Sequence, residues 1–126
     1  MRARVHTSEA PEAIGPYSQA IKANGFLFTS GQIAIDPKAG QITAVDAVAQ
    51  TRQVMENLRA ILGAEGLTFA DVVKTTIFLT DLGDFQRVNE VYGTYFEADP
   101  PARSTVGVAA LPKGAKVEIE AVAALR

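Results

Sequence analysis

The spacing of apolar residues changes along the chain and predicts where helices interrupt strands. From residue 46 to residue 64, apolar residues recur at three- and four-residue steps, which is typical of one helix with a broad buried stripe. Gly66 is expected to lie just past the end of that helix. A second helix is predicted from Phe85 to Glu97, because apolar and aromatic residues follow the same period there. The charged residues of the first helix fall on its outer side and are expected to face solvent: Arg52, Glu56 and Arg59.

Short runs of β-branched and aromatic residues predict the strands. Residues 72–80 form the most strongly β-branched run, and residues 2–7 alternate weakly, as an edge strand does. Residues 19–24 and 25–30 are predicted to be two strands joined by an Asn-Gly dipeptide, which favours a tight hairpin turn. The second of these strands is apolar nearly throughout, so both of its faces are expected to be covered. The last quarter of the chain predicts two more strands.

The order of strands, helix, strand, helix and strands predicts an α+β fold. A chain of 126 residues has room for one hydrophobic core, so a single domain over residues 1–126 is expected. A sheet covered by two helices on one side leaves its other face apolar and open. That arrangement predicts a partner for the open face, and hence an oligomer.

Composition excludes several kinds of site. The chain has no cysteine, which rules out disulfides, thiolate nucleophiles and zinc fingers, and its single histidine, His6, is not expected to bind a metal. The net charge is −2 and the basic residues form no stripe, which argues against a nucleic-acid partner. No run is long and apolar enough to span a membrane, so a cytoplasmic protein without a membrane partner is expected.

The last quarter of the chain holds the strongest candidate for ligand binding. Arg103 opens a strand directly after Pro100 and Pro101, which keep the preceding backbone extended and stiff. A guanidinium presented in this way matches a carboxylate with two parallel hydrogen bonds, although spacing alone favours an ordinary surface salt bridge. The final strand carries Glu118 and Glu120 on one face.

Three further positions each have two interpretations. Tyr17 leaves a loop fixed by a Gly-Pro dipeptide, and its ring either caps the core or stands over a pocket. Ser30 and Gly31 end a strand, where they form either a plain turn or a set of ligand-binding groups. Asn89 lies at the margin of the second helix, and its amide either points toward a pocket or is half exposed.

Four blocks of the sequence, in order and covering nearly the whole chain, resemble the Rid family of reactive-intermediate (enamine/imine) deaminases. The same family is also described as YjgF-like or L-PSP. The blocks are residues 14–19 (IGPYSQ), residues 29–33 (TSGQI), residues 73–76 (VKTT) with Asp81-Leu82, and residues 101–106 (PARSTV) with Leu111-Pro112 and residues 117–120 (VEIE). Four collinear blocks make the resemblance specific.

The resemblance implies a chorismate-mutase-like fold, with a mixed six-stranded sheet, two helices on one face and a homotrimer whose sheets face a central barrel. It places the sites in clefts between neighbouring subunits. It also implies hydrolysis of enamines derived from 2-aminoacrylate and 2-aminocrotonate, through their imines, to 2-oxo acids and ammonia. Such a 2-iminobutanoate/2-iminopropanoate deaminase removes damaging intermediates of amino-acid metabolism. No metal, cofactor or covalent nucleophile is expected, because an iminium carbon is already electrophilic.

The family's catalytic roles carry over to two residues of this chain. Arg103 is expected to clamp the substrate carboxylate, and Glu118 to orient and partly deprotonate the attacking water. Glu120 is the alternative to Glu118, since it lies two residues further along the same strand face.

Five residues are expected to bind the substrate beside Arg103. Ser30 and Gly31 would line the pocket, Tyr17 would close over it, and Asn89 would contribute an amide. Many family members carry cysteine two residues after the arginine, but this chain has Thr105, which is expected to line the site without permitting cysteine chemistry.

Two other functions remain open at this point. A binding module of the same fold would hold 2-oxo acids in the arginine cleft without turnover. A ribonuclease or translation inhibitor is less favoured, because that function requires a basic groove.

Overall fold

The computed structural model describes residues 1–126. Its eight strands are β1 (Arg2–Val5), β2 (Ala20–Ala23), β3 (Phe26–Thr29), β4 (Ile35–Asp36), β5 (Gln41–Ile42), β6 (Val72–Leu79), β7 (Ala102–Gly107) and β8 (Val117–Ala124). The two α-helices are α1 (Ala47–Gly63) and α2 (Phe85–Gly93). Neither helix has the length and apolar character needed to cross a membrane.

The main sheet has six strands in the order β1-β2-β3-β8-β6-β7. Its pairings are antiparallel except for β6 with β7, which run parallel, so the sheet is mixed. Both helices pack on one face, and the buried core includes Val54 and Leu58 of α1, Val88 of α2, and Ile77 and Ile119 of the sheet. The predicted α+β fold is therefore confirmed. The short strands β4 and β5 form a separate hairpin that the sequence did not predict.

The hairpin between β2 and β3 forms as predicted. Asn24 and Gly25 have φ values of 51° and 83°, the left-handed pair that a two-residue turn between twisted strands requires. The prediction that both faces of β3 are covered is wrong for the single chain. Leu27 is fully buried against the helices, whereas Phe26 and Phe28 are 40% and 44% exposed, because both helices lie on the Leu27 side of the sheet.

Helix α1 matches its predicted span closely. The Asp46 side chain accepts a hydrogen bond from the Ala49 N–H at 2.8 Å and so caps the first turn. At the other end the N–H of Gly66, whose φ is 71°, donates to Gly63 O, and Leu67 N–H donates to Leu62 O. This pair of bonds is the glycine-terminated helix ending that Gly66 predicted.

Helix α2 ends at Gly93, four residues before the predicted end. Beyond it the Tyr95 and Phe96 N–H groups bond to carbonyls three residues back, so the chain tightens into turns. The rings of Tyr95 and Phe96 then pack on Phe69, with centroids 5.3 and 5.5 Å away. Helical spacing of aromatic residues therefore continues past the helix itself.

One face of the sheet carries no helix. Along β8 the side chains of Val117, Ile119, Ala121 and Ala123 are buried toward the helices, so Glu118 and Glu120 point to the opposite face. Phe26, Phe28 and Val106 are partly exposed on that open face. An uncovered apolar face of this kind favours association with another surface.

The chain's end is tied to the sheet through Asp71. Its carboxylate accepts hydrogen bonds from the Thr68 N–H and from the Arg126 guanidinium, both at 2.9 Å. The Thr68 bond first and the Arg126 bond second lower the pKa of Asp71. This carboxylate therefore contributes stability above its unfolded-state pKa and loses that contribution as the pH falls through its lower folded-state pKa.

We expect Asp71→Asn to lower the free energy of unfolding by about 1 kcal/mol at neutral pH, as loss of a cap does. The deficit should shrink below about pH 4, where Asp71 of the unfolded chain becomes protonated, and it should disappear below the lowered folded-state pKa. Urea unfolding at fixed protein concentration across this pH range measures the effect. Arg126→Gln should lower the free energy of unfolding by less than Asp71→Asn does, because the Thr68 bond is the larger of the two effects on Asp71. If the deficit of Asp71→Asn does not change with pH, the charge of the carboxylate does not contribute to stability.

Candidate active site

The seven candidate residues fall into two groups on opposite sides of the main sheet. Four of them meet in one cavity, and three lie together on the helix-covered side. The cavity group comprises Tyr17, Ser30, Gly31 and Glu118, and the helix-side group comprises Asn89, Arg103 and Thr105.

The helix-side group is built around Arg103. In the parallel pairing of β6 and β7, Arg103 lies opposite Thr75, whose side chain is buried toward the helices. The guanidinium donates a hydrogen bond from Nη1 to Asn89 Oδ1 at 2.7 Å. Its Cζ lies 5.6 Å from the ring centroid of Phe85 and 5.1 Å from that of Tyr92. Helix α2 therefore holds the arginine against the sheet.

Arg103 has no carboxylate partner within the chain. None of the five ion pairs includes it, so the salt-bridge interpretation is wrong for this protomer. One of its five N–H groups is used by Asn89, which leaves four for an external acceptor. A cation that is positioned but unpaired is suited to binding an anion.

Thr105 follows Arg103 on the same side of β7. Its Oγ1 is buried and has no hydrogen-bond partner. A buried hydroxyl without a partner is unusual and costs stability. Within the single chain this hydroxyl is closed to solvent.

The second group lines a cavity of about 470 Å³. Glu118 lies against Gly31 so closely that a Cβ on Gly31 would collide with the carboxylate and come 2.8 Å from Glu118 Cδ. The backbone of Gln32 holds this approach by exchanging hydrogen bonds of 2.8 and 3.1 Å with Ile119. Glycine at position 31 therefore makes the room that the carboxylate occupies.

Ser30 and Tyr17 complete this wall of the cavity. The Ser30 hydroxyl donates to Ser18 O at 2.5 Å, so its oxygen remains available as an acceptor. Tyr17 is 49% exposed and lines the cavity, and its hydroxyl accepts a long hydrogen bond of 3.4 Å from the Ile14 N–H. Of the two interpretations for Tyr17, the structure supports the ring over a pocket.

The environment of Glu118 disfavours its charge. Burial first and the neighbouring Glu120 carboxylate second raise the pKa of Glu118. Glu120 is exposed and lines a separate hollow beside Phe28 and Thr76. The two glutamates thus share a sheet face, but only Glu118 reaches the cavity with Gly31.

We expect Glu118 to titrate above the ordinary range for glutamate, and Glu120→Gln to lower its pKa because a like charge is removed. A ¹³C NMR titration of the glutamate carboxyl carbons measures both values. Glu12→Gln, which removes a different carboxylate from the cavity rim, serves as the comparison. If the Glu118 signal titrates identically with and without the Glu120 charge, the coupling between the two is refuted.

The sequence did not identify several residues that line the same cavity. Lys113 occupies a left-handed turn with φ 57° and lines the same cavity as Gly31 and Glu118. Gln19 is buried, and its Nε2 donates to the Thr7 and Pro11 carbonyls at 3.0 and 2.8 Å, which pins the loop at the rim. The Pro-Lys-Gly run predicts a turn from the sequence alone. That this turn and Gln19 lie at the same cavity depends on contacts between distant parts of the chain.

The two groups cannot act on one small ligand within a single chain. β6 lies between β7 and β8, so the Arg103 and Glu118 strands are about 10 Å apart, at two strand spacings. Their side chains also point to opposite faces of the sheet. Each chain therefore presents two separate halves of the candidate site. One is the Arg103 cation held by α2, and the other is the Glu118 carboxylate in its cavity.

Comparison with known proteins shows the family. A family model described as Endoribonuclease L-PSP matches residues 7–125. Protein DfrA of Myxococcus xanthus is 59% identical over 124 residues, which span 97% of this chain and 95% of that protein. The 2-iminobutanoate/2-iminopropanoate deaminase of Mus musculus is 48% identical over 123 residues, which span 98% and 91%.

Solved structures agree with the sequence comparison. A Yersinia pestis protein, YyfA, described as a protein of unknown function of the conserved Rid family, superimposes with a TM-score of 0.97 at 50% identity, covering 99% of this chain and 100% of that one. The resemblance inferred from the four sequence blocks is thus confirmed. The chain belongs to the Rid family, also described as YjgF-like or L-PSP.

Proposed function

We propose that this protein hydrolyses small imines that carry a carboxylate, those derived from 2-aminoacrylate and 2-aminocrotonate, to 2-oxo acids and ammonia. The observation that carries the proposal is Arg103, which is held by Asn89 and two rings yet has no anionic partner in the chain. Relatives at about half identity bear the name 2-iminobutanoate/2-iminopropanoate deaminase, which supports the same assignment.

Arg103 would bind the substrate carboxylate. The four free N–H groups of its guanidinium permit two parallel hydrogen bonds to the carboxylate oxygens. Thr105 lies two residues further along the same side of β7 and would line this end of the site. This anchor fixes the imine carbon at a defined distance from the strand end.

A second copy of the chain would supply Glu118. The two residues point to opposite faces of one sheet, so a ligand that touches both must lie between two subunits. The open face with Phe26, Phe28 and Val106 provides an apolar surface for that association. We therefore propose an oligomer, with each site formed by the Arg103 side of one subunit and the Glu118 cavity of its neighbour. The resemblance to the Rid family implies that this oligomer is a homotrimer.

The reaction then needs one water and one proton carrier. Glu118, as the carboxylate, accepts a proton from water as the water oxygen bonds to the imine carbon, and the C=N electron pair moves to nitrogen. The protonated Glu118 returns that proton to nitrogen, which completes a carbinolamine. The carbinolamine hydroxyl then gives its proton to nitrogen through Glu118, and the C–N bond breaks as the C=O bond forms, so that ammonia and the 2-oxo acid leave. The raised pKa of Glu118 makes its carboxylate a stronger base than that of an ordinary glutamate, which suits it to accept the water proton.

The test follows trapping of imines by semicarbazide while an amino-acid oxidase releases them from a 2-amino acid. Wild-type protein should lower the yield of semicarbazone, because it hydrolyses the imine before trapping. Arg103→Ala should leave the yield higher than wild type does. Arg52→Ala, which removes an exposed arginine of α1, should lower the yield as wild type does, and it controls for the loss of one positive charge. An unchanged semicarbazone yield, together with saturable binding of 2-oxobutanoate, would favour the binding module instead.

A further inference from the structure

The orientation of Arg103 depends on a ring that is itself fixed. Tyr92 is 4% exposed, and its hydroxyl shares a hydrogen bond of 2.7 Å with Thr75 Oγ1. The ring also packs on Phe96, with centroids 4.9 Å apart. Thr75 lies opposite Arg103 in the pairing of β6 and β7, so one pair of strands holds both the arginine backbone and the ring beneath its guanidinium.

A single hydrogen bond does not fix the plane of a guanidinium. The bond from Nη1 to Asn89 holds one nitrogen but leaves the group free to rotate about it. The rings of Tyr92 and Phe85, with centroids 5.1 and 5.6 Å from Cζ, restrict that rotation. Because a carboxylate is recognised by a planar fork of donors, the plane decides whether two hydrogen bonds or one can form.

We propose that Tyr92 is a positioning residue for Arg103. Its ring face, locked by the hydroxyl contact with Thr75, sets the plane in which the guanidinium presents its free N–H groups to a ligand carboxylate. The inference rests on the proposed function in one respect, that the ligand of Arg103 is a carboxylate. Tyr92 acts through Arg103 and does not touch the ligand.

The chain contains a matched control for this geometry. Arg59 lies over the Tyr95 ring with the same 5.1 Å separation and over Phe69 at 5.8 Å. Its guanidinium, however, is already paired with Glu56 at 3.0 Å. Tyr95→Leu therefore removes an equivalent arginine–ring contact away from both halves of the site.

Two readouts test the role, and neither needs turnover. The first is the NMR signal of the Arg103 Nε–H, which the ring current of Tyr92 should displace. The second is the Kd for 2-oxobutanoate. We expect Tyr92→Leu to shift the Arg103 signal and raise the Kd about tenfold, Tyr92→Phe to fall between it and wild type, and Tyr95→Leu to change neither.

Turnover then separates positioning from a general loss of structure. The KM for the imine should rise about tenfold in Tyr92→Leu, while kcat stays within about threefold, because the carboxylate anchor is weakened but Glu118 is untouched. If Tyr92→Leu does not fold, Tyr92→Phe takes its place, since it keeps the ring and removes only the hydroxyl contact with Thr75 that locks the ring. The Kd of Tyr92→Phe for 2-oxobutanoate should exceed that of Tyr95→Leu, and equal Kd values would overturn the positioning role.

The outcomes distinguish this inference from the proposed function. If Tyr92→Leu and Tyr95→Leu bind 2-oxobutanoate equally and the Arg103 signal is unmoved, Tyr92 does not position the arginine, whatever the activity of wild type. If wild type hydrolyses no imine but Tyr92→Leu still moves the signal and weakens binding, the positioning role stands and the deaminase assignment fails.

Discussion

Arg103→Ala is expected to lower kcat/KM for imine hydrolysis by about ten- to a hundredfold or more, because a charge-assisted hydrogen-bonded pair contributes about 1.5–3 kcal/mol. The expected loss follows from the absence of any internal anion for this guanidinium, whose free donors are therefore available to the ligand. Removal of the side chain should not unfold the protein, since Asn89 is exposed and can bond to water instead. Initial rates in the semicarbazide assay, with unfolding temperatures alongside, measure both effects.

Arg103→Lys should recover only part of the lost activity. An ammonium keeps the charge, but it cannot form two parallel bonds to a carboxylate and does not lie as a plane on the rings of Phe85 and Tyr92. Full activity in the lysine variant would mean that charge alone is recognised. Activity of Arg103→Ala equal to that of Arg52→Ala would remove Arg103 from the site altogether.

Glu118→Gln is expected to lower kcat by about a hundredfold or more, while the Kd for 2-oxobutanoate stays close to wild type, because the amide fills the same space but cannot accept the proton of water. Glu120→Gln is the matched control on the same strand face, and its kcat should remain within about threefold. Steady-state rates at saturating imine supply and direct titration with 2-oxobutanoate measure the two quantities.

The stability of Glu118→Gln separates chemistry from misfolding. Because the folded state raises the pKa of Glu118, ionisation there costs stability. The cost is absent below the unfolded-state pKa and fully present above the folded-state pKa. The glutamine variant should therefore unfold at or above the wild-type temperature at neutral pH. A variant that is both inactive and less stable would assign Glu118 a structural role.

Local signals in the sequence predicted local structure well. The Asn24-Gly25 turn needs only two left-handed residues between apolar strands, and Asp46 and Gly66 mark the two ends of one helix. Helix α2 was predicted too long because Tyr95 and Phe96 keep the helical spacing while packing on Phe69 from a turn. The spacing of apolar residues along the sequence indicates which of them are buried, but it does not show where the backbone stops being helical.

The division of the candidate site could not be predicted from the sequence. Alternation along β7 and β8 shows which residues of each strand share a face, but the relation between the two strands depends on how both pair with β6. That pairing places Arg103 with the helices and Glu118 on the open face. The resemblance to the Rid family implies sites between subunits, and the separation of Arg103 from Glu118 within one chain is the physical argument for our proposal that two subunits build each site.

Mixed assemblies test most directly whether two copies build each site. Arg103→Ala and Glu118→Gln subunits, each expected to have about a tenth of wild-type activity or less alone, are unfolded, mixed in equal amounts and refolded together. If the sites lie between subunits, about one quarter of them receive an intact Arg103 and an intact Glu118, and about one quarter of wild-type activity returns. If the mixture stays as inactive as its separate components although mixed assemblies form, the two residues do not meet across a subunit interface and the account is wrong.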